Sequence, residues 1–363
     1  MLSFLTLGCR EVKTTPLYTA ELPKWFFEPA DVSHLGALGF SDKSFYGNDY
    51  SLFLAKCRAI YSLLNLENKN PPFFCPSQFQ SLSSKSLKVL KTKLENVSSQ
   101  EGIKFETKKI KIPGYSSKIF VAYAYKEKKK DFPYFEDAKI CSLELCKPKY
   151  LCNPTVEGYV GSLGVAFKAP TFKEQYSIAV KRALDLFLYS YNAKVESKEV
   201  KKVIRTRLTS FKLYLKDAVV TPTGKKNSLR FLVRSLCFDK EGNLFVYLIS
   251  PDIPTKKLNS EKPCWIDDPD CLGEYVYVGI AKKNLNGFKG QLKTALKKAL
   301  VEMAKVKGIR INTSIFRKIG RNPFGTFKLT YVDTKTKTCQ EVSAKIVGIY
   351  KKNGVLYVGV VAR

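Results

Sequence analysis

Apolar residues recur at helical spacing over Leu292, Ala295, Leu296, Ala299, Leu300 and Met303, which predicts a long helix with one buried face. Its alanines at i and i+4 lie on that face and let the helix sit close on a sheet. The same pair recurs in "AKCRA" (Ala55, Ala59) and "AVKRA" (Ala179, Ala183), and a basic residue precedes the second alanine each time: Arg58, Arg182 and Lys298. Elsewhere the apolar pattern is that of strands. "HLGALGF", "YVGSLGVAF" and "YVYVGIA" read as strands whose glycine permits close approach of another backbone. "KIFVAYAY" (118–125), "NLFVYLIS" (243–250) and "VLYVGVVA" (355–362) read as closing strands, the last two fed by turns at Gly242 and Asn353-Gly354. Short strands are expected at 194–197 and 310–313. The stretch "SKEVKKVIRTRLTSFKLYL" (197–215) reads as a further helix.

These elements follow one order three times. "PKWFFEP" (23–29), "PKYLCNP" (148–154) and "PCWIDDP" (263–269) bracket an aromatic residue, Trp25, Tyr150 or Trp265, between prolines. Fourteen residues after each aromatic comes a glycine: Gly39, Gly164 and Gly279. The prolines fix an extended entry segment, from which the ring caps a core. The expected fold class is α+β: three tandem repeat domains, each a small, mainly antiparallel sheet packed on an Ala-x-x-x-Ala helix. Their bounds are 23–130, 148–250 and 263–363, with linkers at 131–147 and 251–262 and an insertion-like stretch at 68–86.

A chain of 363 residues, 45% apolar and 13% aromatic, has ample material for a core. Its formal charge of +30 favours polyanions: nucleic acid, anionic lipid or acidic glycan. Of the 62 basic residues only 11 are Arg, the better reader of phosphate, so scattered surface Lys is the plainer account. Ten cysteines include Cys9, which closes the apolar "MLSFLTLGC". Leu-Gly-Cys is how a bacterial lipoprotein signal ends, although this stretch is short and lacks a basic start.

A Pro-x-Trp entry, a strand ending in glycine, an Ala-x-x-x-Ala helix and a closing hairpin strand resemble the outer-membrane lipoprotein family typified by LPP-twenty, which is related to the flagellar outer-membrane assembly lipoproteins. The resemblance covers roughly 25–65 and 103–125, 150–250 and 265–363. Members are single-copy exported lipoproteins; three copies and a short signal depart from that pattern. The resemblance implies an envelope location, a structural or assembly role and no catalytic residues. It makes 1–9 a truncated signal, Cys9 a lipidated N-terminus and 10–22 a tether, with the membrane and an anionic envelope surface or envelope protein as partners.

Catalytic chemistry finds little footing. His34 is the single histidine and reads as a strand-end residue of the first repeat. No Cys-x-x-Cys and no His pair offers zinc a site, and no metal or cofactor is expected. Cys141, Cys146 and Cys152 suit linker thiols or disulfide partners better than metal ligands, with two of them paired or close together. Cys264 is expected to pair with Cys271 across the acidic turn of Asp267, Asp268 and Asp270, and Cys57 to remain a free thiol. Only Pro, aromatic, Gly and Ala recur, which points to a scaffold rather than an enzyme. The alternative is a cytosolic basic nucleic-acid-binding protein, resting on charge and aromatics without a recognition motif.

Overall fold

The computed structural model describes residues 22–67, 69–77, 80, 82–126, 140–205, 210–223, 229–257, 263–322 and 325–363. Cys9, the expected signal and all of the tether except Leu22 lie outside the described residues, as does most of the basic run at 126–131.

The first segment runs α1 (Lys24–Phe27), β1 (Gly36–Ser41), α2 (Asn48–Leu66), α3 (Ser84–Gln100), β2 (Lys104–Lys111) and β3 (Lys118–Tyr125). The second holds a 3-10 turn (Lys149–Leu151), β4 (Tyr159–Ala166), α4 (Phe172–Tyr191), β5 (Ala193–Arg205), β6 (Ser210–Pro222), β7 (Leu232–Phe238) and β8 (Leu244–Pro254). The third holds a 3-10 turn (Cys264–Ile266), β9 (Tyr277–Ala281), α5 (Gly287–Lys307), β10 (Arg310–Asn322), β11 (Gly325–Val342), β12 (Ala344–Lys352) and β13 (Val355–Ala362). The fold is mixed α+β, and all pairing within the named strands is antiparallel.

Three sheets have three strands each, ordered β1-β3-β2, β4-β8-β7 and β12-β13-β9. In each, the closing strand lies between the segment's first strand and its own hairpin partner. A fourth sheet, β10-β11-β5-β6, joins a hairpin from the second segment to one from the third. The long helices α2, α4 and α5 lie on the sheets of their own segments. Local chemistry sets their limits. Thr171 Oγ1 accepts the Glu174 N–H at the start of α4, and Ser83 Oγ accepts the Ser86 N–H at the start of α3. Lys305 and Lys307 close α5, where positive charge suits the helix dipole. At the last hairpin, Asn353 (φ 50°) and Gly354 (φ 74°) both take the left-handed conformation that a tight primed turn needs.

The cores run across segment boundaries. One cluster packs Phe26 and Leu38 of the first segment with Phe172 and Phe238 of the second; another packs Tyr150, Val165 and Tyr247 of the second with Leu292 and Ala295 of the third.

Several expectations need correction. Of the stretch 197–215, residues 197–205 and 210–215 are not helical but lie in β5 and β6, while 206–209 fall outside the described residues; the strands expected at 194–197 and 310–313 run for 13 residues each. Val200 and Val203 are spaced like a helix face, yet a strand puts them on opposite sides. Part of each expected linker is built into the fold. Cys141 N–H donates to Phe238 O, and β8 continues to Pro254.

Candidate functional site

Each long helix meets its sheet at a glycine. Gly39, Gly164 and Gly279 stand opposite Ala122, Val246 and Val358 in the closing strands. A Cβ on these glycines would lie 2.1, 1.8 and 1.8 Å from the carbonyl oxygens of Ala55, Ala179 and Ala295. It would also lie 2.4, 2.6 and 2.5 Å from the nitrogens of Ala59, Ala183 and Ala299. All six alanines are fully buried. Glycine on the strand and alanine on the helix thus bring two backbones into contact, where any larger side chain would force them apart.

The basic residue before the second alanine ties the joint. Arg58 Nη1, Arg182 Nη1 and Lys298 Nζ donate to Phe40 O, Val165 O and Ile280 O at 2.5, 2.6 and 2.8 Å. Those carbonyls sit on outer strands, so a long cationic side chain replaces the missing strand neighbour. Burial pulls the Arg58 and Arg182 guanidinium pKa values down.

The other face of each sheet receives the proline-bracketed aromatic. Trp25 stacks on Tyr123 (5.3 Å, 4°) and Tyr150 on Tyr247 (4.7 Å, 5°). Tyr123 and Tyr247 donate to Pro29 O and Pro154 O at 3.0 and 2.8 Å. Trp265 instead lies over Gly348 and Gly359, and Pro269 O accepts the Val276 N–H at 2.8 Å. His34, just before β1, is buried and shares a 2.6 Å hydrogen bond with the Tyr123 hydroxyl.

Four disulfides tie the described residues: Cys57–Cys75, Cys141–Cys237, Cys146–Cys152 and Cys264–Cys271. The expectation that Cys57 is free is therefore wrong; the chain leaving α2 doubles back and brings Cys75 to it. Cys339 is free and exposed. Asp267, Asp268 and Asp270 form a local turn in which Asp268 Oδ1 accepts the Asp270 N–H. Among the described residues no three His, Cys, Asp or Glu side chains converge as metal ligands.

Two polar features were missed by sequence reasoning. Gln175 and Gln291, one turn before the first alanine, are buried and donate to the hairpin-turn carbonyls Gly242 O and Gly354 O at 3.0 and 2.9 Å. An uncharged polar residue on an apolar helix face was the available signal. The second feature is an ion cluster. Arg234, 2% exposed, bonds Glu28 Oε2 (2.9 Å), which is fully buried, and both oxygens of Glu157. Burial pushes the Glu157 carboxyl up despite Arg234, whereas the two carboxylates outweigh burial and hold Arg234 above its usual range.

A groove of about 1000 Å³ runs between β1, α2 and α4, lined by Phe40, Tyr61, Phe74 and Val180 with Arg58 and Lys173 at hand. Arg58 Nη2 and Asp42 Oδ2 nearby find no hydrogen-bond partner among the described residues. A smaller one of about 380 Å³ lies between β4, α4 and α5.

Comparison with protein-family models, with curated proteins and with solved structures found no match.

Proposed function

We propose that this is a non-enzymatic, lipid-anchored cell-envelope protein built from three copies of one α+β unit, with a structural or assembly role. The observation that carries the reading is the threefold joint: glycine against two alanine backbones, tied by one basic side chain to one strand carbonyl. What recurs is framework, as in a protein whose work is to hold a shape. The four disulfides favour an oxidising compartment. The resemblance to the LPP-twenty-like lipoproteins supports Cys9 as the lipidated residue.

The physics of attachment is consistent with this role. One lipid chain alone holds a protein to a membrane only marginally, and each basic residue near an anionic surface adds about 1 kcal/mol. A chain of net charge +30 therefore supplies the second signal that stable attachment needs, toward anionic envelope material or an envelope protein. Detergent partitioning of wild type against Cys9→Ala tests the reading. Wild type should follow the membrane fraction, and the variant should be released, more completely as salt rises. If both stay soluble and the protein binds nucleic acid tightly at physiological salt, the envelope reading fails and the nucleic-acid reading replaces it.

A further inference from the structure

The three segments stack in sequence, and the seat they use is filled twice within the chain. The residue after the joint glycine is Phe40, Val165 or Ile280. Phe40 is 3% exposed because α4 of the next segment lies over it, with Phe172 and Tyr176 at ring distances of 5.0 and 4.8 Å. Val165 is 5% exposed in the core cluster that also holds Leu292 of α5, and Phe288 of the same helix packs against that cluster. The docking residues stand seven and three places before the first alanine in both helices: Phe172 and Tyr176 before Ala179, Phe288 and Leu292 before Ala295. The equivalent residue of the third segment, Ile280, is 45% exposed on the outer strand β9.

The complementary face is open at the other end of the molecule. In α2 the places seven and three before Ala55 are Asn48, exposed, and Leu52, half-buried. Just ahead of them Phe45 is 93% and Tyr46 50% exposed. The covering helix α3 does not block this side. Its Leu87 and Leu90 pack on Tyr50, Phe53 and Leu54, which at about 100° per residue lie on the far side of α2 from Asn48 and Leu52.

Charge at the seat also fits. Two residues beyond Phe40 is Asp42, which is electrostatically coupled to Lys173, six places before Ala179. At the open seat the corresponding residue is Lys282, and six places before Ala55 in α2 stands Asp49; both are exposed. The pair is the same with its signs exchanged.

We infer that the open seat around Ile280 receives α2 of a second copy of this chain, so that copies associate head to tail as the segments already do within one copy. Such an interface is heterologous: the two surfaces differ, and each copy keeps a free end that closes into a ring or extends as a filament. The inference rests on the equivalence of the three units, which glycine substitutions at the joints test separately, and it is independent of the lipid anchor.

Sedimentation velocity of wild type, Lys282→Glu, Asp49→Lys, the double variant and a one-to-one mixture of the two single variants decides the matter. Both residues are exposed, so the variants should fold, with circular dichroism as the check. Wild-type mass should climb with concentration, and each single variant should stay monomeric because like charges then meet at the seat. The mixture should climb as an alternating chain, since the seat of each single variant accepts α2 of the other, and the double variant should climb again. A wild type that stays monomeric at every concentration overturns the inference. So do single variants that associate as wild type does, or a mixture that fails to pair.

Discussion

The aromatic joints of the second and third segments fill one backbone position with opposite chemistries. In the second, Tyr150 lies on Tyr247, donates to Cys237 Sγ and accepts from Ser235 Oγ, while Arg234 at a bulge in β7 joins Glu28 and Glu157. In the third, one indole, Trp265, packs with Val276, Val347 and Val361, and Val347 stands at the bulge of β12 where Arg234 stands in β7. Gly359 occupies the place of Tyr247, and Val276 the place of Gly161. The frame specifies volume and backbone path; polar or apolar filling is a local choice. The polar version appears where the first segment supplies Glu28, so it also ties two segments together. Buried ion clusters of this kind stabilise little relative to apolar packing, but breaking one leaves an uncompensated charge.

The largest expected effect follows from that asymmetry. Arg234→Met takes the Arg234 cation away from the fully buried Glu28 and the half-buried Glu157 and should cost about 3–5 kcal/mol in denaturant unfolding. The loss should depend on pH. Burial already raises the Glu157 pKa above its ordinary 4.5, and removing Arg234 raises it further. A carboxyl whose folded pKa lies above the unfolded value favours the folded state on the acid side. The deficit should therefore shrink as pH falls toward about 4.5 and grow as pH rises above it. A deficit independent of pH would point to lost packing rather than stranded charge. Val347→Ala in the third segment removes only apolar volume and should show no such pH dependence.

A smaller effect tests what the two segments share. Arg182→Met and Lys298→Met each leave one strand carbonyl without its donor, for about 1 kcal/mol apiece. Similar losses in both would fit one joint built twice; a loss in only one would mean that the hydrogen bonds differ in role.

The parts of this frame that could be read from sequence are those set by local sterics. Gly39, Gly164 and Gly279 and their paired alanines stand out because no other residues permit that approach. The bracketed aromatics stand out because prolines fix the path. Pairings set by distant residues were not legible. Cys141 meets Cys237 across 96 positions and Glu28 meets Arg234 across 206, and nothing near either residue names its partner. Arg234 did carry a weak mark, a lone charge inside the apolar run "FLVRSLCF". The β5–β6 and β10–β11 hairpins misled for another reason. Exposed apolar residues such as Leu213, Tyr214 and Leu215 fall on both faces of the sheet, so no clean alternation announces a strand.

The measurement closest to the central claim is hydrogen exchange on Gly39→Ala, Gly164→Ala and Gly279→Ala. If the three joints are one device, each added methyl meets the helix backbone at about the same distance. Each variant should then lose about 3 kcal/mol or more of protection, concentrated in its own helix (α2, α4 or α5) and the strand beneath it. An alanine accepted at any one of the three positions, with exchange in that helix unchanged, would contradict the account.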